Sequence, residues 1–157
     1  MERIVQKYSY EMCLMKARAY CDKAERAHRD VRTKLVQWGL FSGDREKIIS
    51  ILIEEDLLNE TRYAEAFAND KFRFNKWGIM KIEQALKAKG VSERNIRDAL
   101  KRIDPGAYEE TVREIAQKRL DREAGKGLQN WQKEQKVMRY LLSRGFDSVI
   151  VKKVLSA

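Results

Sequence analysis

Apolar residues recur along this chain with the spacing of an amphipathic helix, and they do so in register with three glycines. The positions eight and four residues before Gly39, Gly90 and Gly145 are apolar, one helical turn apart on one face. After Gly90 and Gly145, apolar residues follow at the first, sixth and tenth positions, and after Gly39 the series returns once three extra residues are allowed. These apolar positions are Val31, Leu35, Leu40, Ile48 and Leu52; Ile82, Leu86, Val91, Ile96 and Leu100; and Val137, Leu141, Phe146, Val151 and Leu155. The pattern predicts a unit of helix, glycine turn and helix that occurs three times.

The residues around each glycine fit the ends of such helices. Glycine supplies the positive φ that commonly ends a helix, because it has no Cβ to clash with the backbone. Asp44, Ser92 and Asp147 then stand where the next helix needs an N-cap. Each unit is therefore predicted to be a pair of helices joined by a tight turn.

A further helical segment, marked by a tyrosine, precedes each pair. The tyrosines and the residues four positions later on the same face are Tyr20 and Ala24, Tyr63 and Phe67, and Tyr108 and Val112. Asp104 and Pro105 suit the N-cap and first position of the third such helix. We therefore predict an all-α fold, an elongated array of three tandem three-helix repeats. The expected boundaries are an N-terminal extension over residues 1–16 and repeats over 17–59, 60–103 and 104–157.

The aromatic residues of the second repeat fall on two sides of a predicted helix over residues 61–75. Tyr63, Phe67 and Phe74 share one face and are expected in the core, whereas Phe72 points the opposite way. Phe72 could stack on a base or a partner, or it could pack against a neighbouring repeat. Packing is the interpretation that we favour.

Composition supports a helical protein and narrows its surroundings. The chain contains one proline and eight glycines among 157 residues, with 43% apolar residues and no long β-branched run. The sequence contains no stretch of about 18 apolar residues, so it predicts no membrane span. Its N-terminus lacks the apolar core that a signal peptide has. We expect a cytoplasmic protein with no membrane association.

Positive charge is concentrated in the later repeats. The formal net charge is +9, yet residues 1–70 hold 12 basic and 13 acidic residues. Residues 71–102 hold 10 basic and 3 acidic residues, and residues 113–157 hold 11 and 5. Such an excess is typical of proteins with polyanionic partners.

One helix face carries the charge as a regular series. Arg94, Arg97 and Lys101 recur with helical spacing, away from the face of Ile96 and Leu100. They could form an ordinary solvated face, but such faces normally mix both signs. We favour an interpretation in which this stripe contacts phosphates.

Catalytic and metal-binding patterns are absent from the sequence. It contains no phosphate-binding loop, nucleophile elbow or HExxH helix. Cys13 and Cys21 are eight residues apart, and His28 is the single histidine, so we expect free thiols and no zinc site. No enzymatic activity and no cofactor are expected.

Two segments resemble the RecX family. The segment over residues 57–100 resembles its signature, with a motif R-[FY]-A-x-x-[FY], a glycine and then I-x-x-x-L-x-x-[KR]-G-[IV]. The matching residues are Arg62, Tyr63, Ala64 and Phe67, followed by Gly78, Ile82, Leu86, Lys89, Gly90 and Val91. The segment over residues 136–155 resembles the family's C-terminal ending. In the first segment, Trp77, directly before Gly78, departs from the residue that is commoner in the family at that position.

The resemblance implies both a fold and a partner. RecX proteins are helical arrays of three-helix repeats that regulate the RecA recombinase. By resemblance, this protein should bind RecA–single-stranded DNA filaments in their groove and limit filament growth, ATP hydrolysis and strand exchange; we expect it to act as a monomer. The candidate residues for binding the RecA filament or its DNA are Arg73, Lys76, Lys81, Lys87, Arg94, Arg97, Lys101, Arg102, Lys136, Arg139 and Arg144.

Two other functions stay open at this point. The chain could be a stand-alone DNA-binding protein that reads bases with the helix after a glycine turn, as a helix-turn-helix does. Arg94 and Asn95 would permit this in the second repeat, whereas "DSVIVKK" in the third offers little. Alternatively, the chain could be a protein scaffold whose charge serves solubility.

Overall fold

The computed structural model describes residues 7–156 and is all-helical, as the sequence predicts. Over that range it contains nine helices and no strand: α1 (Tyr10–Lys23), α2 (His28–Gln37), α3 (Ser42–Glu54), α4 (Glu60–Arg73), α5 (Ile79–Ala88), α6 (Glu93–Lys101), α7 (Pro105–Glu123), α8 (Asn130–Ser143) and α9 (Ser148–Leu155). Residues 1–6 of the predicted N-terminal extension and the last residue of the third repeat lie outside the described residues. Residues 10–16 belong to α1. The repeat boundaries remain a prediction.

The glycine turns form as the hydrophobic pattern predicts. Gly39, Gly90 and Gly145 have φ angles of 84°, 76° and 92°. At Gly90 the amide donates to the carbonyl of Lys87 at 2.9 Å, and the next amide donates to the carbonyl of Leu86 at 3.1 Å. These two hydrogen bonds supply donors to carbonyl groups that otherwise have no partner at the end of a helix.

Three of the predicted N-caps are confirmed, and one is wrong. The side chains of Ser92, Asp104 and Asp147 accept hydrogen bonds from backbone amides in the first turns of α6, α7 and α9. Asp44 does not cap α3, because the helix begins two residues earlier, at Ser42, and its N-cap position is occupied by Phe41. Asp44 therefore lies inside the first turn, where an acidic residue still favours the positive end of the helix dipole.

The core positions predicted for the tyrosine-marked helices are partly wrong. Ala24 is exposed because α1 ends at Lys23, and Phe74 is 75% exposed because α4 ends at Arg73. Phe72 is buried, so packing is its role. The sequence pattern extends both helices too far. Ala24 and Phe74 each follow the last helical residue, so they do not share the buried helix face.

The chain divides into two compact units, each built from two stretches of sequence. The first unit comprises residues up to Ala66 together with Leu86–Ile96, and the second comprises Phe67–Ala85 together with the residues from Arg97 onward. The division passes through α4, α5 and α6, so the middle three helices contribute to both units.

In the first unit, α1, α2 and α3 pack around an apolar core. Its buried members are Cys13, Ala17, Cys21, Val31, Leu35, Leu40, Ile48, Ile49, Leu52 and Leu58. The start of α2 is tied to the turn after α5, because Asp30 pairs with the Lys89 ammonium at 2.6 Å and the Arg29 guanidinium donates to the carbonyl of Ala88. These contacts keep the second glycine turn against α2.

In the second unit, α7, α8 and α9 pack together around a core that includes Val112, Val137, Leu141, Phe146 and Val151. This core fixes the turn between α8 and α9, which in turn lies against the start of α5 through backbone bonds. The position of the α5 start determines where the connection between α4 and α5 lies, and that connection carries the candidate site.

Candidate nucleic-acid interface

The connection between α4 and α5 has an unusual backbone. Lys76 has a φ of 54°, a left-handed conformation that residues with a Cβ rarely adopt. Its amide donates to the carbonyl of Phe72 at 3.1 Å, and the amide of Trp77 donates to the carbonyl of Lys71 at 3.0 Å. These bonds end α4 and turn the chain sharply toward α5.

Three aromatic rings that pack against one another hold this connection in place. The ring of Phe72 lies 5.7 Å from that of Tyr108, which lies 5.4 Å from that of Phe146. The Tyr108 hydroxyl accepts a bond from the amide of Ile79 at 3.2 Å and donates to the Asp147 carboxylate at 3.3 Å. Burial raises the pKa of Tyr108 to about 12, so this hydroxyl group stays protonated well into the alkaline range.

The turn between α8 and α9 brings Arg144, a cation distant in sequence, to the connection. The amide of Gly78 donates to the carbonyl of Arg144 at 2.8 Å, and the Arg144 guanidinium donates to the carbonyl of Asn75. The structure thereby places Arg144 beside the chain segment that carries Arg73 and Lys76. Three of the predicted binding residues therefore meet at one place in the second unit.

Lysines lie over the ring of Trp77. The ammonium nitrogen of Lys81 is 4.4 Å from the ring centroid, and that of Lys71 is 4.8 Å from it. The Trp77 ring also meets Phe67 edge-on, with centroids 6.3 Å apart. These cation–π contacts hold both ammonium groups at the surface of the connection.

Phe74 is different from the other aromatic residues of the connection. Its side chain is 75% exposed, and the Arg73 guanidinium lies 5.9 Å from its ring centroid. We refer to the side chains gathered here as the basic-aromatic cluster, which consists of Lys71, Arg73, Phe74, Lys76, Trp77, Lys81 and Arg144.

The cations of this cluster are not neutralised by carboxylates. Across residues 7–156, no carboxylate lies within ion-pair distance of the cluster's lysines and arginines. The first unit behaves differently: Arg18 pairs with Glu55, Arg32 with Glu46, and Arg62 with Glu25 and Asp56. The second unit holds 18 basic and 11 acidic residues, and its ion pairs in the described range, such as Arg113 with Glu109, do not include the cluster's cations.

The other predicted residues lie outside the cluster. Arg97 and Lys101 on α6, and Arg102 directly after that helix, belong to the second unit and are exposed. Lys87 and Arg94 are exposed in the first unit.

The two candidates on α8 differ in their surroundings. The Lys136 ammonium lies 3.4 Å from the Glu123 carboxylate, whereas Arg139 is exposed without an ion pair in the part of the chain that the structure describes. The charge of Lys136 is therefore partly neutralised by an acidic neighbour.

The sequence patterns do not single out three members of the cluster. Phe74 is expected in the core, and neither Lys71 nor Trp77 is among the predicted binding residues. Lys71 stands next to the basic stretch, but its place over Trp77 follows from the sharp turn at Lys76. A helical wheel has no information about such a turn.

Other kinds of site find no support in the described range. Within residues 7–156, no helix has the length and apolar character needed to cross a bilayer. Nor does that range contain three or more His, Cys, Asp or Glu side chains grouped to hold a metal ion. Cys13 and Cys21 are buried free thiols, as expected, and burial raises the pKa of each.

Comparison with known protein structures shows the same fold. The crystal structure of RecX from Lactobacillus salivarius superposes with a TM-score of 0.86 and 24% sequence identity, covering 94% of both chains. A second crystal structure, of a regulatory protein RecX, gives a TM-score of 0.84 and covers 94% of this chain and 73% of that one. At this level of identity the likeness shows the helical architecture.

Sequence comparisons show the family. A model of the second three-helix domain of RecX matches residues 59–100, and a model of its third three-helix domain matches residues 107–155. Regulatory protein RecX of Clostridium perfringens (strain 13 / Type A) is 32% identical over 146 residues, which cover 93% of this chain and 68% of that protein. Its counterpart in Clostridium acetobutylicum is 26% identical over 148 residues, with the same two coverages. The chain therefore belongs to the RecX family.

Proposed function

We propose that this protein is a non-enzymatic regulator of the RecA recombinase. It binds RecA–single-stranded DNA filaments along their groove and limits filament growth, ATP hydrolysis and strand exchange, acting as a monomer in the cytoplasm. Family membership is the observation that carries this proposal, because the relatives are regulatory proteins by name. The RecA partner follows from the resemblance described above.

The surface of the second unit supports a nucleoprotein target. Each lysine or arginine that neutralises a phosphate releases condensed counterions, which favours binding. Cations already paired with carboxylates would have to break those pairs first. The cations of the basic-aromatic cluster are free of such pairs in the described structure, so they are available to a polyanion.

The alternative of a base-reading helix is less well supported. Asn95 would have to hydrogen-bond to a base, but its amide nitrogen donates to the Glu60 carboxylate at 2.7 Å. Its amide oxygen accepts from the Thr61 hydroxyl at 3.2 Å. In the third repeat, Asp147 is occupied as an N-cap, and Lys153 pairs with Glu109 at 3.2 Å. Asn95, Asp147 and Lys153 are thus engaged within the protein, and Arg94 alone among these residues is exposed without an ion pair in the described structure.

The decisive experiment measures DNA-dependent ATP hydrolysis by RecA as this protein is added. We expect suppression at protein concentrations too low to coat the DNA, because a filament-binding regulator acts on many RecA subunits through few binding events. Binding to bare single-stranded and duplex DNA is measured in parallel at several salt concentrations.

Two results would contradict the proposal. Unchanged ATP hydrolysis at concentrations sufficient to saturate the filament would exclude this protein as a regulator of that activity. Tight, sequence-selective binding to duplex DNA together with no effect on RecA would support the base-reading alternative.

A further inference from the structure

We propose that Phe74 is a base-stacking residue, at the centre of a site for single-stranded nucleic acid on the connection between α4 and α5. The cations of the basic-aromatic cluster contact the phosphates on either side of the stacked base. This inference rests on the proposed function, because it names the part of the surface that meets the DNA of the filament.

The exposure of Phe74 is the first observation that supports this site. Single exposed apolar residues are common, so exposure alone indicates nothing. Phe74, however, is 75% exposed, and three cations, Lys71, Arg73 and Lys76, lie within three residues of it along the chain. The acidic residue next to them in sequence, Asp70, forms no ion pair with these cations in the described structure. An aromatic face among unpaired cations is the combination that proteins use to bind single strands without sequence preference.

Trp77 is a weaker platform for a base than Phe74. The ammonium groups of Lys71 and Lys81 lie within 4.8 Å of its ring centroid, and its ring meets that of Phe67 edge-on. A base could reach the ring only by displacing a lysine. Trp77 is therefore better suited to hold the two lysines than to stack on a base.

The backbone at Lys76 is the second observation. A left-handed residue at a helix end is usually glycine, as it is at Gly39, Gly90 and Gly145. At this helix end the residue is a lysine despite the unfavourable conformation, and Asp56 after α3 is the other left-handed residue with a Cβ in the described range. Unfavourable backbone conformations are found preferentially at binding sites, where the side chain or its direction is needed. At Lys76 this conformation carries a cation two residues from Phe74.

The connection is held firmly enough to present Phe74 in one place. Phe72 is buried against Tyr108, the amide of Gly78 is bonded to the carbonyl of Arg144, and the Arg144 guanidinium is bonded to the carbonyl of Asn75. A fixed platform loses little conformational freedom when a base stacks on it.

Charge distinguishes a nucleic acid from a protein partner. The core of a protein–protein interface is depleted in charged residues, and lysine in particular is rare there. The Arg73 guanidinium lies 5.9 Å from the ring centroid of Phe74, and neither Arg73 nor Lys76 forms an ion pair in the described structure. A polyanion whose bases have exposed faces matches this surface, and single-stranded DNA has both properties.

The test compares two labelled oligonucleotides of equal length, oligothymidylate and its abasic counterpart, by fluorescence anisotropy. Four proteins are compared: the unaltered chain, Phe74→Ala, Phe74→Trp and Phe41→Ala. Phe41→Ala is the control, because Phe41 is also a largely exposed phenylalanine, at 67%, but lies in the first unit. We expect Phe74→Ala to weaken oligothymidylate binding about 5- to 100-fold. Its affinity for the abasic strand and the salt dependence of binding should not change, since no phosphate contact is lost. Phe74→Trp should restore the affinity, and Phe41→Ala should not alter it.

Three results would overturn the inference: equal binding of oligothymidylate by Phe74→Ala and the unaltered protein, an equal loss for both oligonucleotides, or no binding of oligothymidylate by the unaltered protein. Weaker binding to RecA filaments with unchanged binding to oligothymidylate would likewise overturn it, because Phe74 would then contact RecA. Failure of the proposed function is measured separately, as an absence of any effect on ATP hydrolysis, and leaves the oligonucleotide comparison valid.

Discussion

Gly78 lies against the backbone of Gly145, and neither glycine has room for a side chain. A Cβ on Gly78 would lie 2.1 Å from the carbonyl carbon of Gly145 and from the amide nitrogen of Phe146, and a Cβ on Gly145 would lie 2.3 Å from that of Lys81. Because the obstructing atoms at Gly78 are backbone, no rotamer change can relieve the clash. The turn between α8 and α9 and the start of α5 are thus in direct backbone contact.

Gly78→Ala should therefore strongly destabilise the protein. We expect a loss of about 2 kcal/mol or more in the free energy of unfolding, because the added methyl group must push two backbone segments apart. The measurement is urea unfolding followed by circular dichroism.

Gly43→Ala is the matched control for that substitution. Gly43 lies in the first turn of α3, and a Cβ there would meet nothing within 4 Å. Replacement of a helical glycine with alanine should stabilise the protein by about 0.4–1 kcal/mol. Similar unfolding midpoints for the two variants would show that the close approach does not exist in solution.

Phe72 and Phe74 should differ sharply in their effect on stability. Phe72→Ala removes a buried ring that packs against Tyr108, so a loss of about 3–5 kcal/mol is expected. Phe74→Ala removes an exposed ring and should change stability by less than about 0.5 kcal/mol. Thermal unfolding of both variants checks this, and a larger loss for Phe74→Ala would reverse the assignment of the two rings.

The stripe on α6 should contribute to nucleic-acid binding without contributing to the fold. We expect simultaneous replacement of Arg94, Arg97 and Lys101 by glutamine to weaken binding to single-stranded DNA. If all three contact phosphates, the slope of log affinity against log salt should decrease by about 2, at about 0.7 per contact. Far-ultraviolet circular dichroism should be unchanged, because the three side chains are exposed and form no ion pair in the described structure. An unaltered slope would remove the stripe from the interface.

Two tyrosines should ionise only in strong alkali. Burial raises the pKa of both Tyr63 and Tyr108 to about 12, whereas an unfolded tyrosine ionises near pH 10. The folded state therefore holds these protons more tightly, and the stability that results is complete below about pH 10 and is lost as the pH rises toward 12.

Tyrosinate absorbance measured against pH tests this expectation. The folded protein should show a late phase near pH 12, which Tyr108→Phe should reduce and which urea should shift to near pH 10. A single phase near pH 10 in the folded protein would contradict the burial of these hydroxyl groups.

Local features of the fold could be predicted from the sequence because they depend on a few adjacent residues. The positive φ of Gly39, Gly90 and Gly145 follows from where the apolar series breaks, and the caps at Ser92, Asp104 and Asp147 follow from residue type and position. The failures at Asp44 and Phe74 have a common cause, since each helix begins or ends a few residues from where the pattern placed it.

The site depends on relationships that the pattern does not contain. Gly78 and Gly145 each have a local explanation as turn residues, so nothing in the sequence reveals that they meet. The same holds for Arg144, whose position before a turn glycine is explained by the helix dipole, although its guanidinium bonds to Asn75. Excess charge could be predicted, but the pairing of cations in the first unit and their freedom in the cluster required the packing.

The most direct test of the whole account is the rate of RecA's ATP hydrolysis on single-stranded DNA with two matched double variants. Arg73→Gln with Lys76→Gln removes two cations of the cluster, and Lys23→Gln with Lys47→Gln removes two exposed cations of the first unit. We predict that the unaltered protein and the Lys23/Lys47 variant suppress hydrolysis alike, whereas the Arg73/Lys76 variant requires at least about tenfold more protein for the same effect. Equal suppression by all three proteins would contradict the claim that the basic-aromatic cluster is the surface through which this protein acts.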